Sequence, residues 1–249
     1  MKKIGIIGGS GLDDPDLLKE PHEIDVITPY GEPSAPLMCG KVEGVEVVLL
    51  PRHGKKHQHS PSGVNYRANI QAFKDNGVTH ILATTACGSL RQEIDRGHFV
   101  IPDQFIDFTK NRKNTFFESF VGMDLSAHTP MADPFDENLR RILLGCAVEM
   151  GVNVHDRGTV VTIEGPRFST RAESRMFRIW GADVINMTVA TEVTLANEAG
   201  IPYAAVAMST DYDCWKEDEE PVTWKEIMAV FNSNAEKVKR ILLAAIVKI

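Results

Sequence analysis

The sequence predicts an α/β fold carried by one domain over residues 1–249, and three observations predict it. Short β-branched runs alternate with stretches whose apolar residues recur at helical spacing, the pattern of strands layered against helices. A length of 249 residues fits one large α/β domain or two small ones. No repeat, low-complexity tract or linker divides the chain, which selects the single domain.

The elements follow in order. Residues 3–7 form a first strand, stopped by Gly8-Gly9-Ser10-Gly11. That turn suits either a phosphate cradle or a plain strand-to-loop connection, because glycines serve both. Its glycines do not fit G-x-G-x-x-G, and Gly40-Lys41 lacks the rest of a P-loop. Residues 37–42 and 45–50 flank Glu43-Gly44 and predict a β-hairpin that ends on Pro51-Arg52-His53-Gly54. A helix is expected over 62–76, stopped by Asn76-Gly77. A strand follows over 79–84 and opens into a turn, Thr85-Ala86-Cys87-Gly88-Ser89-Leu90.

Residues 99–105 read as one strand, 106–135 as an irregular segment containing His128, and 136–151 as a helix capped by Asp136. Further strands are expected at 158–163, 182–187 and 201–207, with helices at 170–180, 193–199 and 223–247. The last of these strands releases Thr210-Asp211-Tyr212-Asp213. Open α/β sheets keep their chemistry at such carboxyl edges, although an acidic pair in a loop also fits a solvated turn.

Composition narrows the functional classes. A formal net charge of -7 argues against a general nucleic-acid binder, which needs a basic face to displace counterions. No apolar run is long enough to span a membrane, and the amino terminus enters a strand directly, so the expected location is cytoplasmic. Four scattered cysteines suggest neither a disulfide framework nor a zinc site. His53, His57 and His59 are close in sequence, but Gly54 and Pro61 break any helix and no carboxylate accompanies them, so no metal is expected. Strand exits at 8–11, Arg52-His53, 84–89 and 186–188 together supply hydroxyls, backbone donors, a guanidinium and an imidazole, which is what a tetrahedral oxyanion needs.

Several stretches carry a family resemblance: Gly5-Ile6-Ile7-Gly8-Gly9-Ser10-Gly11, Arg52-His53-Gly54, Val64-Asn65-Tyr66, Thr84-Thr85-Ala86-Cys87-Gly88-Ser89-Leu90, Glu164-Gly165-Pro166-Arg167-Phe168-Ser169, Asn186-Met187-Thr188 and Thr210-Asp211-Tyr212-Asp213-Cys214-Trp215. In this order, from residue 4 to about 220, they resemble the purine nucleoside phosphorylase family in its methylthioadenosine phosphorylase branch. The resemblance implies a single α/β domain around a mixed, partly barrel-like sheet flanked by helices, assembled as a homotrimer or a dimer of trimers. It implies a pentosyltransferase that carries out reversible phosphorolysis of 5'-methylthioadenosine, giving adenine and 5-methylthioribose 1-phosphate. The alternative is a phosphorylase preferring methylthioinosine or ordinary purine nucleosides. Inorganic phosphate is then a co-substrate, and no cofactor is expected.

Carried over by position, the resemblance assigns phosphate to Ser10, Arg52, His53, Thr85, the Ala86 backbone and Thr188. It assigns ribose to Met187 and Asn186, and the base to Phe168, Ser169, Asp211 and Asp213, with Asp211 as the acid at purine N7. Specificity falls to Ser169, Trp224, Ile227 and Met228, with Trp224 lining the 5' pocket and His128 reaching in from a neighbouring subunit towards the 5' substituent. Two departures bear on that end: Trp224 stands where a small aliphatic residue is usual, and the chain stops at Ile249, short of the tail some relatives carry.

Overall fold

The fold is built around β5 (His80–Ser89), a strand that changes neighbours halfway along its length. β1 (Lys3–Gly8) pairs with residues 80–83 of β5 in parallel, whereas β10 (Val184–Asn186) pairs with Gly88 and Ser89 antiparallel. β11 (Tyr203–Asp211) runs parallel to β5 over residues 81–88. Residues 84–87 therefore have β11 as partner but neither β1 nor β10, and a fork opens in the sheet at that point. The structure is a computed structural model, which describes residues 2–8, 17–119, 127–217 and 223–249.

Beyond β1 the sheet continues through β4 (Val45–Pro51), β3 (Leu37–Val42) and β2 (Lys19–Ile24). Beyond β10 it continues through β9 (Thr159–Ile163) and β7 (Gln104–Phe108). A branch from β11 adds β6 (Phe99–Val100) and β8 (Val154–His155), making eleven strands in one mixed sheet among the described residues. Only three residues, 101–103, separate β6 on one branch from β7 on the other, so the strands curl into the expected partial barrel.

Alternation along the strands feeds two cores. Ile4 and Ile6 of β1, Leu82 of β5, and Ala204, Val206 and Met208 of β11 face one side. That side is covered by α2 (Glu137–Glu149) and α5 (Trp224–Ile246) through Leu139, Leu143, Val238, Ile241 and Leu242. Ile7, Ile81, Ala83, Tyr203, Ala205 and Ala207 face the other, covered by α1 (Tyr66–Asp75) and α4 (Val189–Glu198) through Ile70, Phe73, Val193 and Leu195. Each such Leu, Ile or Phe contributes about 1.5–3 kcal/mol on burial. α3 (Arg171–Ile179) closes a third cluster with Phe177 against Val161, Ile163 and Ile185. No helix of the described residues is long and apolar enough to cross a membrane.

The structure corrects several expected boundaries. The turn expected at Thr85–Leu90 is strand: β5 runs on to Ser89 because β11 pairs with it through Gly88. Gly88 is there for close approach, since a Cβ would lie 2.9 Å from Asp211 Oδ1 and 3.0 Å from Ile185 Cγ2. The strand expected at 99–105 is two strands, β6 and β7, divided around Pro102, which has no N–H to donate. α4 begins at Val189 rather than residue 193; its β-branched residues weaken helical propensity, and burial of Val189, Val193, Leu195 and Ala196 outweighs that. The last strand runs through Asp211 instead of ending at residue 207. β2 was not expected because its sequence, Lys-Glu-Pro-His-Glu-Ile, is charged and contains proline, which suits a sheet edge.

Candidate active site

At the fork lies a cavity of about 310 Å³, a size suited to a small molecule. Its lining includes Arg52 and His53 from the end of β4, Thr85 to Gly88 from β5, and Ile185 to Thr188 around the end of β10. Thr210, Asp211 and Asp213 come from β11 and the loop after it, while Phe168, Ser169, Ile227 and Met228 complete the wall. The structure thus brings Arg52, His53, Thr85, Ala86, Thr188, Phe168, Ser169, Asn186, Met187, Asp211, Asp213, Ile227 and Met228 to one cavity, as the sequence assignments require.

Three assigned residues are not among these. Ser10 and the side chain of Trp224 lie outside the described residues. His128 does not line this cavity; it stands in a separate, open depression with Thr115, Phe117, Thr129 and Glu198.

The acidic end is organised by a β-bulge. Ser209 pairs with Cys87 and Asp211 with Gly88, so Thr210 is the extra residue, and both Thr210 and Asp211 turn towards the cavity. Asp211 is 5% exposed. Its Oδ2 accepts from the Thr210 hydroxyl at 2.7 Å, and its Oδ1 accepts from the Asp213 amide at 2.7 Å. Asp213 has φ 51, a left-handed conformation that Asp adopts more readily than most residues. Ser169 Oγ donates to the Asp213 carboxyl, 2.7 Å from Oδ2. Burial pushes the Asp211 carboxyl up to about 6, against the Thr210 and Asp213 donors, which favour the charged form. A carboxyl so placed is half-protonated at about pH 6, above the usual carboxylate range.

At the opposite end Arg52 is 2% exposed and Glu192 is fully buried. Arg52 Nε and Nη2 form a fork on the Glu192 carboxylate, with Nη2 to Oε2 at 2.9 Å. Nη1 donates to the Thr84 carbonyl at 2.9 Å, the Tyr203 hydroxyl donates to Glu192 Oε2 at 2.8 Å, and Nη2 is 3.5 Å from the Ile7 carbonyl. Arg52 therefore plugs the opening between β1 and β5. Burial alone would lower its pKa, but Glu192 more than offsets this and holds the guanidinium above its usual range. Among the described residues, one of its five N–H groups, on Nη1, has no bonding partner.

His53 Nδ1 is 2.9 Å from the His59 carbonyl, which can only accept, so Nδ1 carries the hydrogen. Burial, reinforced by the Arg52 charge, lowers His53 to about 4. At neutral pH its Nε2 is thus an acceptor. His53 and His57 stack with ring centroids 4.6 Å apart.

Between the two ends, Asn186 acts as a clamp. Its Oδ1 accepts from Thr162 Oγ1 at 2.7 Å and from the Thr188 amide at 3.4 Å, while Nδ2 donates to Thr85 Oγ1 at 3.3 Å. Asn186, assigned to substrate from the sequence, lines the cavity and also aligns Thr85 and Thr188. Thr188 sits at the N-cap of α4, yet its hydroxyl makes no cap bond and, although buried, has no partner among the described residues. A buried, unpartnered hydroxyl at a helix N-terminus beside a guanidinium suits an anion. Met187 is pinned from the other side, since a Cβ on Gly165 would lie 2.6 Å from its Sδ.

Sequence reasoning missed Glu192, Tyr203 and Thr210 as parts of this site. Glu192 carried a signal: it is the lone charge within Val-Ala-Thr-Glu-Val-Thr-Leu-Ala, and a charge inside an apolar helix needs a buried partner.

With both ends described, the class of protein is defined: the chain belongs to the phosphorylase superfamily, whose sequence profile matches residues 3–247. Within it the chain is 56% identical to S-methyl-5'-thioadenosine phosphorylase of Danio rerio, covering 99% of this chain and 89% of the relative. It is 55% identical to that of Xenopus tropicalis over the same shares. Among solved structures, methylthioadenosine phosphorylase from Schistosoma mansoni in complex with adenine superposes with a TM-score of 0.93 at 46% identity, covering 99% of this chain and 91% of that one. A single-substitution variant of the adenosine/methylthioadenosine phosphorylase of that organism, in complex with methylthioadenosine, superposes at 0.92 with 45% identity and the same coverage.

Proposed function

We propose that the protein catalyses reversible phosphorolysis of 5'-methylthioadenosine to adenine and 5-methylthioribose 1-phosphate. The observation that carries this reading is the pairing, in one cavity, of a buried carboxyl held at about 6 with a guanidinium, a neutral imidazole and an unpartnered threonine hydroxyl. Relatives of that name, similar along almost the whole chain, support it.

Breaking an N-glycosidic bond builds positive charge on the sugar and negative charge on the departing purine. Phosphate on the Arg52, Thr85 and Thr188 side supplies both the counter-charge and the nucleophile, so no protein nucleophile is needed. His53 Nε2, as an acceptor, suits the one hydroxyl of hydrogen phosphate. Protonated Asp211 gives its hydrogen to N7, and a 6-amino group finds an acceptor on the acidic pair. Met187 and Asn186 form the floor beneath the sugar, with Phe168 and Ser169 beside the base. Ile227 and Met228 form an apolar wall for the methylthio group. In this reading Ser10 adds a phosphate donor and Trp224 trims the 5' pocket. The active form is a homotrimer or dimer of trimers in the cytoplasm, with His128 directed to a neighbour's site.

Initial rates with phosphate on methylthioadenosine, adenosine and methylthioinosine test the substrate assignment. The expected order places methylthioadenosine first and methylthioinosine last. A preference for methylthioinosine would contradict the base assignment, and a preference for adenosine would contradict the apolar 5' wall.

A further inference from the structure

The Thr210 hydroxyl has one hydrogen and two acceptors within reach: Asp211 Oδ2 at 2.7 Å and the Cys87 carbonyl at 3.2 Å. One hydrogen cannot serve both fully. Asp211 Oδ1, by contrast, faces the Asp213 amide at 2.7 Å, and an N–H can only donate. Oδ1 is therefore the acceptor oxygen in either charge state, and a proton on Asp211 belongs on Oδ2. Thr210 is the group that can meet Oδ2 in both states, as acceptor when Oδ2 is protonated and as donor when it is not.

We infer that Thr210 is the positioning residue for the Asp211 proton, its hydroxyl turning between the Cys87 carbonyl and Oδ2 as that proton leaves and returns. The inference rests on the reading of Asp211 as the acid. In the empty site Oδ2–H donates to Thr210 Oγ1, whose own hydrogen points to the Cys87 carbonyl. As the sugar–N9 bond breaks, its electron pair stays with the purine and N7 takes the hydrogen from Oδ2. The bond from Oδ2 to hydrogen breaks and the bond from N7 to hydrogen forms. The Thr210 hydrogen then turns from Cys87 to Oδ2 and stabilises the new carboxylate without movement of any heavy atom. The bulge at Thr210 makes this possible by turning two successive residues of β11 towards the cavity.

Other groups act on Asp211 without taking this role. Asp213, on its own loop, opposes the charged form, and Arg96, from the segment between β5 and β6, favours it. Cys87 from β5 stays a thiol, raised by burial and then by Asp211.

Four variants test the inference: Thr210→Val, Thr210→Ser, Asp211→Asn, and Thr210→Val combined with Asp211→Asn. A hydrogen bond to a charged group corresponds to about a tenfold to hundredfold effect. Thr210→Val is thus expected to lower kcat by about that factor and to move the basic limb of the pH profile up by about one unit, because the carboxylate loses a donor. Thr210→Ser, which keeps the hydroxyl, restores both. In the Asp211→Asn background the valine substitution adds no further loss, since no proton remains to be placed. An unmoved limb in Thr210→Val, or a loss of equal size in the Asp211→Asn background, would overturn the inference while leaving Asp211 as the acid. A wild-type rate and limb in Asp211→Asn alone would remove the acid reading itself. Thermal unfolding of all four variants separates a folding defect from the kinetic effect.

Discussion

Asp211→Asn is expected to lower kcat on methylthioadenosine by about 10²–10⁴-fold, the usual contribution of a positioned general acid. The amide cannot give a proton, yet it can donate a hydrogen bond, so the loss on 6-oxopurine nucleosides is expected to be smaller and the preference to move towards them. The pH dependence follows from the raised carboxyl. Asp211 acts in its protonated form, so at a fixed concentration of hydrogen phosphate dianion, kcat/KM of the wild type falls as pH rises through about 6. In Asp211→Asn that descending limb disappears. His53, held near 4 by burial and by Arg52, contributes no step between pH 5 and pH 8. Equal kinetics of the two proteins on both substrate types, or a limb that survives the substitution, would contradict the assignment.

Glu192→Gln is expected to cause the largest loss of stability. It leaves the buried Arg52 charge without its counter-ion, and breaking a buried pair from one side costs about 3–5 kcal/mol. For a chain of this size that corresponds to a fall in Tm of roughly 10 °C. The fork that holds Arg52 across the opening between β1 and β5 is also weakened, so KM for phosphate is expected to rise about tenfold or more, with less change in KM for the nucleoside. Replacing both partners by apolar residues, Arg52→Met with Glu192→Leu, is expected to cost less stability than Glu192→Gln alone while abolishing phosphate saturation. Differential scanning calorimetry with phosphate titration of the rates reads both effects. A change below about 1 kcal/mol with unaltered KM for phosphate would show that Glu192 does not hold Arg52.

The parts of the fold legible in the sequence are those where local pattern and global structure agree. The hairpin of β3 and β4 carried its turn residues, α1 its glycine stop and α2 its Asp136 cap. Gly88 and Pro102 were harder because each has two meanings. Glycine marks a turn or a close approach, and only the neighbouring Asp211 shows which applies at Gly88. Proline ends a strand or sits at its edge, and the division of β6 from β7 depends on pairing with β11 and β9, which lie far away in sequence.

The site shows the same division. Hydroxyls, glycines and charges at strand ends were visible as motifs, and of the assigned site residues that the structure describes the cavity collects all but His128. The supporting partners were not visible. Tyr203 reads as an ordinary strand residue, Glu192 lies just ahead of the helix expected at 193–199, and Thr210 reads as part of a loop. Their roles arise from pairing across 140 residues between Arg52 and Glu192, and from a one-residue bulge that no local pattern announces. Asn186 was placed against the substrate by resemblance and does line the cavity, but its hydrogen bonds to Thr162, Thr85 and Thr188 were not legible.

The central claim is that phosphate bound beside Arg52 and Thr188 attacks the sugar while Asp211 releases the purine. Adenine release from methylthioadenosine, followed with phosphate and after its complete removal, tests this most directly. The account predicts release that saturates with phosphate, stops without it, and yields one sugar 1-phosphate per adenine. Adenine release at an undiminished rate without phosphate, with free sugar as the product, would contradict it.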